Sequence, residues 1–302
     1  MDRAMKELIS SNVAIDFMSK RAICAVLSLA AFAASIFVFV QQGDRKYGTD
    51  FSGGHEFLVS FSGGQDSEAV RKGLESQGVS DVRVQAFQGG KDEYSIRLSE
   101  VGDVSTIRLR VEGALKGAFG DSARIEKSDY VGPTVGAELR RKGLLAVILG
   151  VVGILIYIAI RFEFSVGLGS IVALVHDVTI ATGVYLLSGH AISMATLAGA
   201  LTIVGYSVND TVVIFDRVRE ERRKRKDGNI RDIMNEALNF TLSRTVITHV
   251  LTLLSALALY VIGSGEIKDL SLYLVAGIVL GAYSTMFVVC PIVVWWEGRK
   301  AS

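Results

Sequence analysis

Half of the 302 residues are apolar, mean hydropathy is +0.41 and only two residues are proline, which excludes an average soluble domain or a disordered chain and fits a polytopic membrane protein. A net charge of +1 gives no reason to invoke nucleic acid, because the charges are sorted along the chain. Cys24 and Cys290 both fall in apolar runs, and the Cys and His spacings match no zinc pattern, so both are expected to pack, with no metal site and no cofactor.

In chain order, a tail over 1–21 carries Arg3, Lys6, Lys20 and Arg21 and leads into an apolar run over 22–41. That run is too long for a cleavable signal and ends at Gln41-Gln42, a poor cleavage context, so it reads as an uncleaved anchor. Five further runs, 143–160, 166–187, 192–215, 245–262 and 272–296, are long enough, or nearly so, for the roughly 20 helical residues that a bilayer requires. A basic loop over 217–243 and a short tail over 297–302 complete the membrane part. The basic residues cluster in the first tail and between Arg217 and Arg231, so both termini are expected in the cytoplasm. Arg140, Arg141 and Lys142 oppose this, but they end a long segment that would translocate regardless of charge.

Between the first two runs, residues 44–137 switch to soluble patterning. Glu56–Phe61 predicts a strand, Asp66–Gln77 a helix, Asp81–Phe87 a strand, Gly89-Gly90 a turn, Glu93–Leu98 a strand, Val104–Phe119 a helix and Ala123–Tyr130 a last strand. This βαββαβ order is the split pattern of a ferredoxin-like α+β domain, here extracytoplasmic, and it names no function by itself. Gly53 and Gly54 precede the lobe, and Gly132 and Pro133 follow it. They serve as turns at the bilayer or as hinges for a lobe that swings. Gly277 and Gly281 form a small-residue face on the sixth run.

Charge inside the apolar runs carries the functional reading. An ionised Asp near the middle of a spanning helix costs about 2.5 to 3.5 kcal/mol on insertion scales, so Asp210 is expected to have a partner or a use. Asn209, its neighbour, is a further candidate on a proton-conducting path, and Tyr206 sits one turn earlier on the same face as Asp210. Arg244, entering the fifth run, is the expected counter-ion, and Thr248 one turn on either relays a proton or bonds its own backbone. His176 and Asp177 in the third run form an intramembrane polar pair, structural or proton-carrying. The Arg217–Lys226 run sets topology and touches anionic lipid. There is no Ser/His/Asp set or phosphate loop, so bond-making chemistry is not expected.

Asp50-Phe51-Ser52-Gly53-Gly54, Val131-Gly132-Pro133, His176-Asp177-Val178, Gly205-Tyr206-Ser207-Val208-Asn209-Asp210-Thr211 through Arg217, and Leu242-Ser243-Arg244-Thr245 together resemble the SecF family. That family supplies the smaller subunit of the SecDF accessory complex of bacterial secretion. One departure is Ser52, where the family commonly has threonine. The resemblance implies an all-α six-helix transmembrane bundle, half of an RND-like twelve-helix core whose other half is SecD, in the bacterial inner membrane. It implies coupling to protons through Asp210, Arg244 and Thr248. It further implies association with the SecYEG channel and YajC, indirect coupling to the ATPase SecA, and help in pulling exported preproteins outward. A small-molecule exporter half and a passive channel clamp are the competing classes.

Overall fold

In the computed structural model the described residues are 15–86, 93–100, 102–225 and 228–301. The turn expected at Gly89-Gly90 lies outside them. Among the described residues, six helices are long and apolar enough to cross a membrane, as a multi-pass membrane protein requires.

The helical elements are α1 (Arg21–Gln41), a one-turn α2 (Thr49–Ser52), α3 (Ser67–Ser76), α4 (Val104–Phe119), α5 (Pro133–Arg161), α6 (Phe164–Leu187), α7 (Met194–Lys224), α8 (Ile230–Ile262), α9 (Glu266–Ser284) and α10 (Cys290–Ala301). The strands are β1 (Gly54–Phe61), β2 (Val82–Ala86), β3 (Glu93–Leu98) and β4 (Ala123–Val131). The lobe follows the order β-α-β-β-α-β, and its sheet runs β2-β3-β1-β4 with every pairing antiparallel.

Alternation along β1 decides which sheet face is covered. Phe57, Val59 and Phe61 point to the lobe core with Val70 and Leu74 of α3 and Ile107, Val111 and Leu115 of α4. Glu56, Leu58 and Ser60 take the opposite face, which carries no helix of the lobe and lines a cleft against the ends of the membrane helices.

Helix termini follow capping chemistry. Pro133 opens α5, where its missing N–H removes nothing the helix would have used. Ser193 and Thr196 form a reciprocal capping box on α7, and the Asn229 side chain caps α8.

The stretch 217–243, expected as a loop, is helical through Lys224 and again from Ile230. Arg, Lys and Glu are good helix formers, and Arg217 pairs with Glu221 at 2.7 Å and Lys224 with Glu220 at 2.8 Å along one face. The sixth run also differs: α9 and α10 are joined by a five-residue π-type turn, Thr285–Val289, which ends two residues before Pro291. Proline has no N–H and crowds the preceding turn, so the widened turn absorbs it.

Within the bundle, α6, α7 and α9 pack as an inner layer. Their cores hold Ala181, Tyr185, Ala200, Ile203 and Tyr273. The apolar surfaces of α1, α5 and α8 are largely exposed, as lipid-facing helices require.

Candidate functional site

Asp210 lies on the buried face of α7, 4% exposed. Its Oδ2 is 3.2 Å from Nε2 of His249 on α8, an ion-pair distance that lacks hydrogen-bond alignment. Nδ1 of His249 lies 2.8 Å from the carbonyl oxygen of Thr245 in its own helix. Tyr206 packs edge-on against the imidazole with ring centres 5.0 Å apart, and its hydroxyl donates to Thr252 at 3.3 Å.

Arg244 is exposed, and the cation-forming partner in contact with Asp210 is His249. The reason is the rotation of α8: Thr245, His249 and Ala256 share its buried face, while Arg244 stands one residue, about 100°, away from Thr245. Its charge acts on Asp210 through space. Thr248 donates to the carbonyls of Arg244 and Thr245, both at 3.0 Å, which is the backbone-bonded alternative. Asn209 is exposed on the outer face of α7.

His176 and Asp177 pair with each other, Nδ1 to Oδ1 at 2.9 Å, and both are buried. Asp177 is also the acceptor that ties the inner layer together: Ser207 of α7 donates to its Oδ2 at 3.0 Å and Ser284 of α9 at 2.6 Å. Tyr283 stacks on the His176 ring and its hydroxyl donates to the Cys24 carbonyl of α1. The polar set thus links α1, α6, α7 and α9 in the apolar interior.

The two glycine clusters lie against each other where the lobe meets the bundle. Gly53 has φ +75° and Gly54 φ +115°, conformations that favour glycine, and a Cβ on Gly53 would sit 3.0 Å from Cα of Pro133. Gly132 precedes that contact in ordinary extended backbone. Backbone bonds from Gly48 to Ile192 and from Ile192 to Lys46, with Asp50 accepting from the Met194 N–H at 2.8 Å, stitch the lobe root to the α6–α7 turn.

Above this root the cleft, about 290 Å³, is lined by Glu56, Ser95 and Arg97 of the sheet and by Ser193, Glu266 and Asp269 of the bundle. Glu56 accepts from Ser95 at 2.5 Å, Thr49 at 2.6 Å and Arg97 at 3.0 Å. Burial pushes the Glu56 carboxyl up, but Arg97 and the two hydroxyls outweigh it and hold the group below the usual glutamate value. Burial lowers Arg97, while Glu56 and then Asp269 raise it to a net upward shift. Asp269 in turn pairs with buried His190 at 2.7 Å, and Lys127 reaches Glu266 at 3.6 Å.

At the opposite end, Arg161 pairs with Asp216 at 2.6 Å and Arg222 with Glu297. Sequence reasoning missed His249, His190, Asp269 and the Glu56–Arg97 pair; a histidine inside an apolar run was the available signal for His249. Among the described residues no group of three or more His, Cys, Asp or Glu is placed to hold a metal ion.

This arrangement has relatives. Residues 110–299 match the family described as Protein export membrane protein SecD/SecF, C-terminal. A protein translocase subunit SecF of Vibrio alginolyticus is 37% identical over 286 residues, covering 94% of this chain and 90% of the relative. SecF of Calditerrivibrio nitroreducens is also 37% identical, covering 93% of each chain. The crystal structure of SecDF from Thermus thermophilus, a translocon-associated membrane protein, superposes with a TM-score of 0.86 at 34% identity. It covers 97% of this chain, which spans 40% of that longer one. From the matched length and the shared helical architecture, this chain belongs to the SecF family.

Proposed function

We propose that this chain is the SecF half of a proton-driven SecDF complex in the bacterial inner membrane, with both termini cytoplasmic and the lobe outside. A change of protonation at Asp210 shifts the packing of α7 against α8. The shift swings the ferredoxin-like lobe on its glycine junction and draws an exported preprotein outward. The observation that carries the reading is the buried Asp210 facing a titratable His249 beneath an outer polar rim.

That rim supports the partner. Thr202, Gly205 and Asn209 form an exposed small and polar stripe on α7, and Arg244 is exposed on α8 beside it. Lipid tails offer such groups nothing, whereas a second six-helix bundle, SecD-like and completing an RND-like core, offers close packing and polar partners. The Thermus relative carries SecD and SecF in one chain by its name, consistent with this pairing. Association with SecYEG and YajC, downstream of SecA, is the setting that family membership suggests.

The energetics are adequate. A charge crossing the potential yields about 2.3 kcal/mol per 100 mV, and each pH unit adds about 1.4 kcal/mol. Turning a 1:99 equilibrium into 99:1 needs about 5.5 kcal/mol, so one proton at an ordinary potential moves it part way and two nearly complete it.

The test is export into membrane vesicles with and without an imposed proton gradient. Asp210→Asn is expected to abolish the stimulation by the gradient. Unchanged stimulation in that variant would remove the proton role and favour a passive channel clamp.

A further inference from the structure

The hydrogen inventory of one side chain constrains the site further. The nitrogen Nδ1 of His249 faces the Thr245 carbonyl oxygen at 2.8 Å, an acceptor with no hydrogen to give, so this nitrogen carries a proton in either charge state of the ring. Nε2 then meets Oδ2 of Asp210 at 3.2 Å. With a neutral ring and an ionised carboxylate, both buried atoms of this contact would be acceptors with no hydrogen between them. We infer that Asp210 and His249 hold a single proton between them, and that His249 is the group with which Asp210 exchanges it. The inference rests on the proton role proposed for Asp210 and adds a second residue to the path.

The balance is simple. In one form the proton sits on Nε2, and imidazolium faces carboxylate. In the other it sits on Oδ2, the electron pair of the broken N–H bond staying on Nε2 as the acceptor lone pair. When the proton leaves for the next acceptor, carboxylate faces a lone pair, the contact turns repulsive, and α7 and α8 separate at this level. Rebinding of one proton from the other side closes it again.

The surrounding charged groups leave His249 to this exchange. From α7 the ring meets Asp210 and the edge of Tyr206, whose hydroxyl is committed to Thr252. Arg244, on α8 itself, acts on Asp210 at longer range. The titratable side chains of α9 have partners elsewhere: Asp269 with His190, Tyr273 with Thr182 and Tyr283 with Ser28. The Thr245 carbonyl and the Tyr206 ring, itself anchored on Thr252, fix the orientation of the imidazole.

The chain has four histidines, so the ring nitrogens can be resolved in the reconstituted assembly by solid-state NMR with ¹⁵N-histidine, using His249→Gln to assign the signals. The expected result is an Nδ1 of His249 that stays protonated across pH, and an Nε2 that titrates in the wild-type chain. In Asp210→Asn, whose amide donates to it, Nε2 becomes fixed in the neutral form. An unprotonated Nδ1, or Nε2 signals indifferent to Asp210→Asn, would overturn the shared proton. In transport, His249→Gln is expected to move the pH midpoint of gradient-stimulated export by about one unit or more, the size of effect that a charge within ~4 to 6 Å exerts. An unmoved midpoint would overturn the exchange role. If Asp210→Asn leaves stimulation intact, the proton role of Asp210 fails, while the NMR result still decides whether the pair shares a proton.

Discussion

Ser284 of α9 donates at 2.6 Å to the Oδ2 of Asp177, the same oxygen that Ser207 of α7 reaches at 3.0 Å. Three helices therefore converge on one carboxylate that is fully buried in the apolar interior. Such a group is tolerated only while its hydrogen bonds are complete.

Removing the acceptor should cost far more than removing one donor. Asp177→Ala strands His176 and the Ser207 hydroxyl, leaves Ser284 only the Gly281 carbonyl, and is expected to destabilise the bundle by about 3 to 5 kcal/mol, against about 1 kcal/mol for Ser284→Ala. Thermal unfolding of the purified chain in detergent compares the two variants. Equal losses would mean that Asp177 is not the hub of the inner layer.

The α7–α9 contact depends on missing side chains, Gly277 foremost. A Cβ on Gly277 would overlap the side chain of Ile203, which is 2% exposed. Gly277→Val is expected to destabilise by about 1 to 3 kcal/mol through overpacking, and adding Ile203→Ala should recover part of the loss. Failure of the second change to compensate, with the two losses simply adding, would count against direct packing at this point.

The face of α7 proposed to meet the partner is expected to behave differently. A Cβ on Gly205 would meet nothing within 4 Å in this chain. Gly205→Leu is expected to leave the melting temperature of the isolated chain unchanged or slightly higher, since leucine favours helix over glycine. The same change should sharply reduce the SecD-like protein that co-purifies with it. Undiminished co-purification would place the partner elsewhere.

At the lobe root the pH dependence has a defined sign. The Glu56 carboxyl sits below its ordinary value of 4.5 in the folded chain, so the ionised form favours folding. Its contribution is complete above about 4.5 and is lost as pH falls through the lowered folded value. Hydrogen exchange of the lobe amides should be flat in this respect near neutrality and rise in acid. Glu56→Gln should remove that acid segment and weaken the lobe at neutral pH by about 1 to 3 kcal/mol, because Arg97 loses its carboxylate. An unaltered acid profile in the variant would show that another group controls it.

The spans and the lobe order were legible in the sequence because each rests on a run of many residues that agree, apolar length for the first and period-two or helical alternation for the second. Asp210 was legible because a carboxylate among Val, Ile and Phe is costly wherever the helix sits. Its partner was not. His249 and Arg244 lie five residues apart on one helix, and a rotation of α8 decides which of them meets α7. That rotation is set by packing across helices and leaves no mark in local spacing. The helix running through the basic stretch was within reach, since Arg217, Glu220, Glu221 and Lys224 stand at pairing distances, but their charge reads equally well as a solvated loop. The Glu56–Arg97 pair and the Asp269–His190 pair depend on how the lobe is seated on the bundle. No single segment of sequence contains that relation.

The central claim, that Asp210 changes its charge while the assembly works, is tested most directly by infrared difference spectroscopy on the reconstituted complex as a proton gradient is imposed and released. The account predicts a protonated-carboxyl band that appears and disappears with the gradient in the wild-type chain and is missing in Asp210→Asn. Identical difference spectra from the two chains would contradict it.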